Sequence, residues 1–246
     1  SGDAGVTFQL SPQSFLFVKY SRGYKSGGFN LPGNGQPYLP EFVNAFEVGL
    51  KNLLSQDRVR LNATVFRYDY EDMQVFQISN FQTVIENAAQ ATVTGAEVEL
   101  HARLAQGSLI DVSVAYLDAT YDEFVSLDPL NPFAGFQDLS GNTLNRAPEL
   151  TFRVAIQHAF DLGDSGYLTP RAEYNWRDDV FFRQFNLAQE TQESFSRSDL
   201  RLMWESSTGA YRGSVWLKNL EDDDVIGNML INSLNLLAMY YAPQTW

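Results

Sequence analysis

ELTFRVAIQHAF, residues 149–160, sorts its side chains by a period of two. Leu150, Phe152, Val154, Ile156, His158 and Phe160 fall on one face, and Thr151, Arg153, Ala155, Gln157 and Ala159 on the other. A helix would scatter these classes around its circumference, whereas successive strand residues point to opposite sides. The same alternation recurs in 108–121, where Ile110, Val112, Val114 and Tyr116 oppose Asp111, Ser113 and Ala115. In 166–178, Leu168, Pro170, Ala172, Tyr174 and Trp176 oppose Thr169, Arg171, Glu173, Asn175 and Arg177. Working outward, the pattern predicts ten strands near 3–10, 15–24, 42–54, 58–79, 83–104, 108–121, 148–160, 166–178, 194–206 and 210–219, with no helix and no domain linker.

The connections alternate in length. Short polar turns fall at Ser11–Ser14, Ser55–Asp57, Ala105–Gly107, Asp161–Ser165 and Ser206–Gly209. Long links fall at 25–41, 122–147, 179–193 and from 220 onward, the tip near Asn80–Gln82 being the short exception. Tight turns at one end and elaborate loops at the other suit an outer-membrane barrel better than a soluble sandwich. Strand length agrees: a tilted strand crosses the apolar slab in about 9–11 residues, and the pair 58–79 and 83–104 is roughly twice that. Val59, Leu61, Ala63 and Val65 give way to Arg67 and Asp69 on the same face, and Ala96, Val98, Leu100, Ala102 and Leu104 form the partner's apolar stripe. The expected class is all-β, an antiparallel up-and-down transmembrane β-barrel.

Composition narrows function. The 246 residues are 44% apolar, enough for a core, and 30 acidic against 17 basic residues leave a net charge of −13. That balance argues against a nucleic-acid surface. Zero cysteines exclude disulfides and thiolate chemistry, and two histidines, His101 and His158, disfavour a multi-histidine metal centre. No apolar run reaches the ~18 residues of a transmembrane helix, a test that strands escape. Aromatics near strand ends (Tyr68, Tyr70, Phe124, Phe160, Tyr174, Trp176, Trp204 and Tyr211) are where interfacial girdles would lie, or where ordinary packing would place them. Polar residues opposite the apolar stripe, Arg60, Glu97, Glu99, Arg103, Arg171 and Glu173, would line a hydrated lumen in a barrel or a wet surface in a sandwich.

YSRGYKSGGFN (20–30), NAFEVGLKN (44–52), ENAAQATVTGAEVEL (86–100), NTLNRAPELTF (142–152) and VWLKNLEDDD (215–224) together resemble the barrel of TonB-dependent outer-membrane receptors. The resemblance covers nearly the whole chain, in the family's order. It implies a barrel of roughly 22 strands of which this chain is the C-terminal half. An N-terminal plug domain and the last strand are then expected outside residues 1–246, with YYAPQTW (240–246) as the lead-in to that strand. It further implies a bacterial outer-membrane location, contact with outer-membrane lipid, and a TonB energy-coupling complex acting through the plug. The implied ligand is a scarce small-molecule nutrient: a ferric siderophore, cobalamin or a glycan. Gly27 and Gly28 would supply positive backbone angles, Gly95 would admit a bulge or bulky neighbour, and Pro148 would open a strand. None of these motifs is catalytic, and no enzyme activity, cofactor or metal is expected.

Glu221–Asp224 places four carboxylates in a row without the spaced ligands of a calcium loop, and reads as a solvated outer loop. Asp178 and Asp179 precede Val180-Phe181-Phe182-Arg183, which suits either ring stacking with a ligand or anchoring of a loop to the rim. Loop position and chemistry nominate Phe29, Tyr38, Phe81, Phe133, Phe136, Phe181, Phe182 and Arg183 for ligand contact. Two other readings compete: a non-transporting barrel such as an adhesin or structural receptor, and a soluble β-sandwich that binds glycans.

Overall fold

The computed structural model describes residues 1–31, 35–55, 58–79, 82–231 and 236–246. Ten strands form one antiparallel meander in chain order: β1 Gly2–Ser11, β2 Ser14–Lys25, β3 Glu41–Leu54, β4 Val59–Ser79, β5 Gln82–Ala105, β6 Ser108–Leu127, β7 Leu150–His158, β8 Tyr167–Arg177, β9 Phe195–Glu205 and β10 Arg212–Lys218. The expected ten strands are present, the main difference being β6, which runs to Leu127 rather than stopping near 121. Its extension is held by the Ala89–Phe124 pairing on one side and by Phe136–Asp138 on the other. Within the described residues the sheet path runs from β1 to β10 without closing.

Register turns alternation into two surfaces. Val59, Ala102, Ile110, Ile156, Ala172, Leu200 and Leu217 pair in one row across β4 to β10. Val18, Val48, Val65, Ala96, Tyr116 and Leu150 make another. Most of this face has no protein layer over it, although the small Ala102 is buried between its neighbours: Val65 is 55% exposed and Ile156 52%. An apolar lattice of this extent, uncovered, matches a lipid-facing surface. Further along the same face the rows become polar, with Arg22, Asn44, Asp69 and Thr92 in register. Arg22 bonds Asn44 at 2.7 Å and Glu71 at 3.1 Å, and Arg67 meets Asp69 at 2.8 Å. The apolar band therefore ends partway up β2 to β5, and the hairpin stands clear of it.

Aromatic placement divides. Phe160, Tyr174, Trp176 and Trp204 lie on the apolar face, and Tyr211 is exposed at a turn. Tyr68 and Tyr70 instead face the other way, and Phe124 is buried beside Tyr121, Ala89, Ala91, Leu139 and Phe185. For these three the girdle expectation is corrected: the strands carrying them continue past the apolar band, so a strand-end position there is not an interface.

Glycines fit close approaches. A Cβ on Gly95 would lie 2.5 Å from the Phe66 ring, and one on Gly49 2.3 Å from Phe17, so each leaves room for a ring lying across the strand. Gly27 and Gly28 do not take positive φ. They are needed because Tyr38 crowds them, its carbonyl oxygen 2.4 Å from a Cβ at Gly27 and its hydroxyl 2.6 Å from one at Gly28. Pro148 precedes the strand by two residues rather than opening it.

Candidate functional site

The face opposite the apolar lattice carries a charged ladder. Arg60, His101, Asp111, Ala155, Glu173, Asp199 and Lys218 pair in one row from β4 to β10. The neighbouring row holds Asn62, Glu99, Ser113, Arg153, Asn175 and Arg197. Side chains facing each other across strands are close enough to pair, and several do. Glu173 receives Arg153 through two hydrogen bonds of 2.7 and 2.6 Å, a bidentate contact. Arg171 reaches Asp111 at 3.3 Å, Gln157 at 2.9 Å and Glu173 at 3.4 Å, while His101 Nδ1 lies 2.5 Å from Asp111. Asn62 donates to Glu99 at 3.3 Å, and Tyr68 donates to Glu47 at 3.1 Å. All six sequence-nominated wall residues, Arg60, Glu97, Glu99, Arg103, Arg171 and Glu173, stand on this face. Asp111, Arg153, Arg177, Arg197 and Arg201 share it and were not singled out, although the two-residue period already gave their parity.

Charge on this face is uneven. On β7 to β10 it carries Arg153, Arg171, Arg177, Arg197, Arg201, Arg212 and Lys218 against Glu173, Asp199 and Glu205. A basic strip thus sits within an acidic chain, whose net charge is −13.

Above the sheet, long loops lean on the β4–β5 and β6 extensions through side-chain amides. Asn30 accepts from the Ile85 amide at 2.8 Å and donates to the Ile85 carbonyl at 2.9 Å. Asn87 does the same to Leu39, at 2.6 and 2.9 Å, and Asn186 to Thr143, at 2.7 and 3.0 Å. Gln74 ties Ser26 and Leu39 to β4, donating to their carbonyls at 3.1 and 3.0 Å. Each carboxamide offers a donor and an acceptor in the spacing of a peptide group, so it extends a ladder where no strand is present.

The nominated loop residues separate into two sets. Phe29 is 72% exposed on a short ladder with Pro37–Tyr38, and Tyr38 is half-buried against Gly28. Phe133 and Phe136 stand open to solvent on the 128–149 link. Phe181 is half-buried, and Phe182 and Arg183 are buried. Arg183 bonds both Asp128 and Glu190, themselves buried, and stacks on Phe185 at 4.6 Å. Arg183 therefore ties two loops together, the geometry of the anchoring alternative for this segment. Burial pushes the Glu190 carboxyl upward, against the opposing pull of Arg183. Phe81 lies outside the described residues. Glu221 accepts from the Ser198 amide and hydroxyl at 2.7 and 2.6 Å, so the acidic run docks the link after β10 onto β9.

Concavities follow this division. A furrow of about 520 Å³ lies on the apolar face, where small Pro170 and Ala172 separate Ile156 and Phe160 from Leu200 and Leu202. On the polar face, a cavity of about 320 Å³ is lined by Arg153, Asn175, Arg177, Phe195, Arg197 and Tyr241, among others. Between the loops, one of about 230 Å³ lies among Met73, Phe76, Tyr121, Leu144 and Gln184.

A family model described as "TonB dependent receptor-like, beta-barrel" matches residues 1–220. The pesticin receptor of Yersinia pestis is 25% identical over 225 residues, 90% of this chain and 31% of that protein. The chain thus spans about a third of the length of such curated relatives. Among solved structures, the ferric yersiniabactin uptake receptor FyuA from Yersinia pestis superposes with a TM-score of 0.81 at 22% identity, covering 98% of this chain and 35% of that one. The siderophore receptor PiuA from Acinetobacter baumannii gives 0.78 at 19% identity, covering 98% and 34%.

Proposed function

Because the chain belongs to the TonB dependent receptor-like β-barrel family, we propose that it forms part of the wall and outer loops of a bacterial outer-membrane transporter that imports a ferric siderophore. The supporting observation is the two-sidedness of the sheet. An uncovered apolar lattice meets lipid, an ion-paired polar face lines the lumen, and exposed Phe29, Phe133 and Phe136 stand above it on loops. Relatives named as siderophore receptors favour iron chelates over cobalamin or glycans.

In this mechanism the outer loops capture the chelate and pass it to the lumen wall. A plug elsewhere in the full-length receptor then moves, driven by TonB from the periplasm. What these residues contribute is binding and a hydrated path: no bond of the ligand is made or broken by them. The test uses the full-length receptor in cells lacking their own ferric-siderophore receptors. Iron-limited growth on at least one of a panel of ferric chelates, abolished when TonB is deleted, is expected. Import that persists without TonB, or selective uptake of cobalamin or a glycan, would overturn the proposal.

A further inference from the structure

The structure assigns an anion-binding subsite to the lumen face at Arg177 and Arg197, for an oxyanion carried on an aromatic ring. It rests on the transporter reading only for what the anion belongs to. Three arginines line the 320 Å³ cavity, but they differ in what neutralises them. Arg153 is held bidentately by Glu173. Arg197 has Asp199 as a carboxylate neighbour, with Nε 3.6 Å away, too far for a hydrogen bond, and its charge also helps hold down the Glu221 carboxyl. Asp199 itself accepts from the Asn219 amide at 2.9 Å. Arg177 contacts the Phe195 ring, its guanidinium carbon 4.9 Å from the centroid, and has no carboxylate partner among the described residues. The Nε atoms of Arg177 and Arg197 are both buried without an acceptor. The guanidinium of Arg177, without a carboxylate, and the unmet Nε donors of both arginines leave beside the cavity a local charge that an incoming anion would satisfy.

The rest of the lining specifies more than charge. Phe195 presents a ring on one side. Tyr241 reaches the cavity because Gly227 has no side chain: a Cβ there would lie 2.8 Å from the Tyr241 ring. Ser113, Thr151 and Asn175 add uncharged hydrogen-bonding groups. Aromatic walls, guanidinium edges and hydroxyls select a planar anion such as an aryl carboxylate, and disfavour a neutral sugar or an alkylammonium.

The probe is benzoate, with the isosteric neutral benzamide as control, titrated calorimetrically into the full-length receptor in detergent at low ionic strength. Benzoate is expected to bind roughly tenfold more tightly than benzamide, the factor of one charge-assisted hydrogen bond. Arg177→Gln and Arg197→Gln are each expected to abolish that preference with an unchanged melting temperature, whereas Arg67→Gln, on the opposite face of the sheet, retains it. Equal binding of the two probes, absence of benzoate binding, or a preference that survives Arg177→Gln would overturn the subsite. A lowered melting temperature in Arg177→Gln without benzoate binding would mean that a carboxylate of the receptor itself fills the cavity, which also overturns it. TonB-dependent import of a ferric chelate despite failure with benzoate would remove the subsite and leave the transporter reading intact. Benzoate binding at Arg177 without import of any ferric chelate would do the reverse.

Discussion

The carboxamide of Asn30 closes both hydrogen bonds on the main chain of Ile85, 55 residues away, as a neighbouring strand would. Asn87 with Leu39 repeats the geometry between a loop and β5, and Asn186 with Thr143 repeats it between two loops, so the same device fixes loops to a strand extension twice and to each other once. Preorganised loops lose less entropy on ligand capture than free ones. Asn30→Ala removes a donor and an acceptor together and leaves a partly buried amide and carbonyl, at a local cost of about 1–3 kcal/mol. Asn30→Asp keeps only the acceptor and should lie between. Faster hydrogen exchange at the Ile85 amide, in that order of variants, is the expected readout.

Much of the sheet was legible because each residue of β4 or β8 must suit one of two unlike surroundings, so the period of two is written at nearly every position. The loop architecture was not, because its partners are distant in sequence. Nothing near Asn30 announces Ile85, and nothing near Arg183 announces Asp128. Phe181-Phe182-Arg183 has the chemistry of a stacking surface, and only tertiary structure shows the guanidinium already taken. The overrun of β6 has the same origin, since Phe124 and Val125 pair with Ala89 and Asp138 rather than with sequence neighbours.

Arg183 sits between two buried carboxylates, so its removal leaves Asp128 and Glu190 uncompensated. Arg183→Ala should destabilise the 178–194 loop by about 3–5 kcal/mol, the cost of breaking a buried ion pair from one side. Restoring neutrality with Asp128→Asn and Glu190→Gln in the same chain should recover part of it. Limited proteolysis of the folded receptor, with cleavage mapped to this loop, reads both effects.

Gly95 and Gly49 give way to rings. At Gly95→Val the new side chain would collide with Phe66 and with the Tyr116 carbonyl oxygen, 2.6 Å from the Cβ position. Overpacking of this kind costs about 1–3 kcal/mol or more. Phe66→Ala should relieve the ring clash but not the backbone one, so the double variant should recover stability only partly. Heat-modifiable gel migration, which reports a folded barrel, measures each variant.

Burial, with the neighbouring Asp178 carboxylate second, raises the Asp179 carboxyl above its ordinary range. A carboxyl whose folded value exceeds its unfolded one lowers stability above both values, and that penalty disappears as pH falls through the folded value. The 178–194 loop should therefore exchange amide protons less readily, after correction for intrinsic rates, just below the ordinary carboxylate range than at neutral pH. Asp179→Asn should reduce this dependence, the rest coming from Glu190, whose carboxyl burial also raises. An unchanged pH profile in that variant would assign the effect to another group.

Val65 and Thr64 are adjacent, yet they belong to opposite faces of β4, pairing with Ala96 and Glu97. If the apolar lattice meets lipid, a charge at Val65 must be held in hydrocarbon while one at Thr64 enters a hydrated lumen beside Glu97. Val65→Lys should cost about 2–4 kcal/mol near the bilayer midplane, and Thr64→Lys should be close to neutral. Urea unfolding of the full-length receptor in phospholipid vesicles compares the two. Equal penalties would contradict the assignment of faces on which both the transporter reading and the anion subsite stand. A large penalty at Val65 alone would show that the face opposite Arg177 and Arg197 is the one against the membrane, which leaves their cavity open to the lumen.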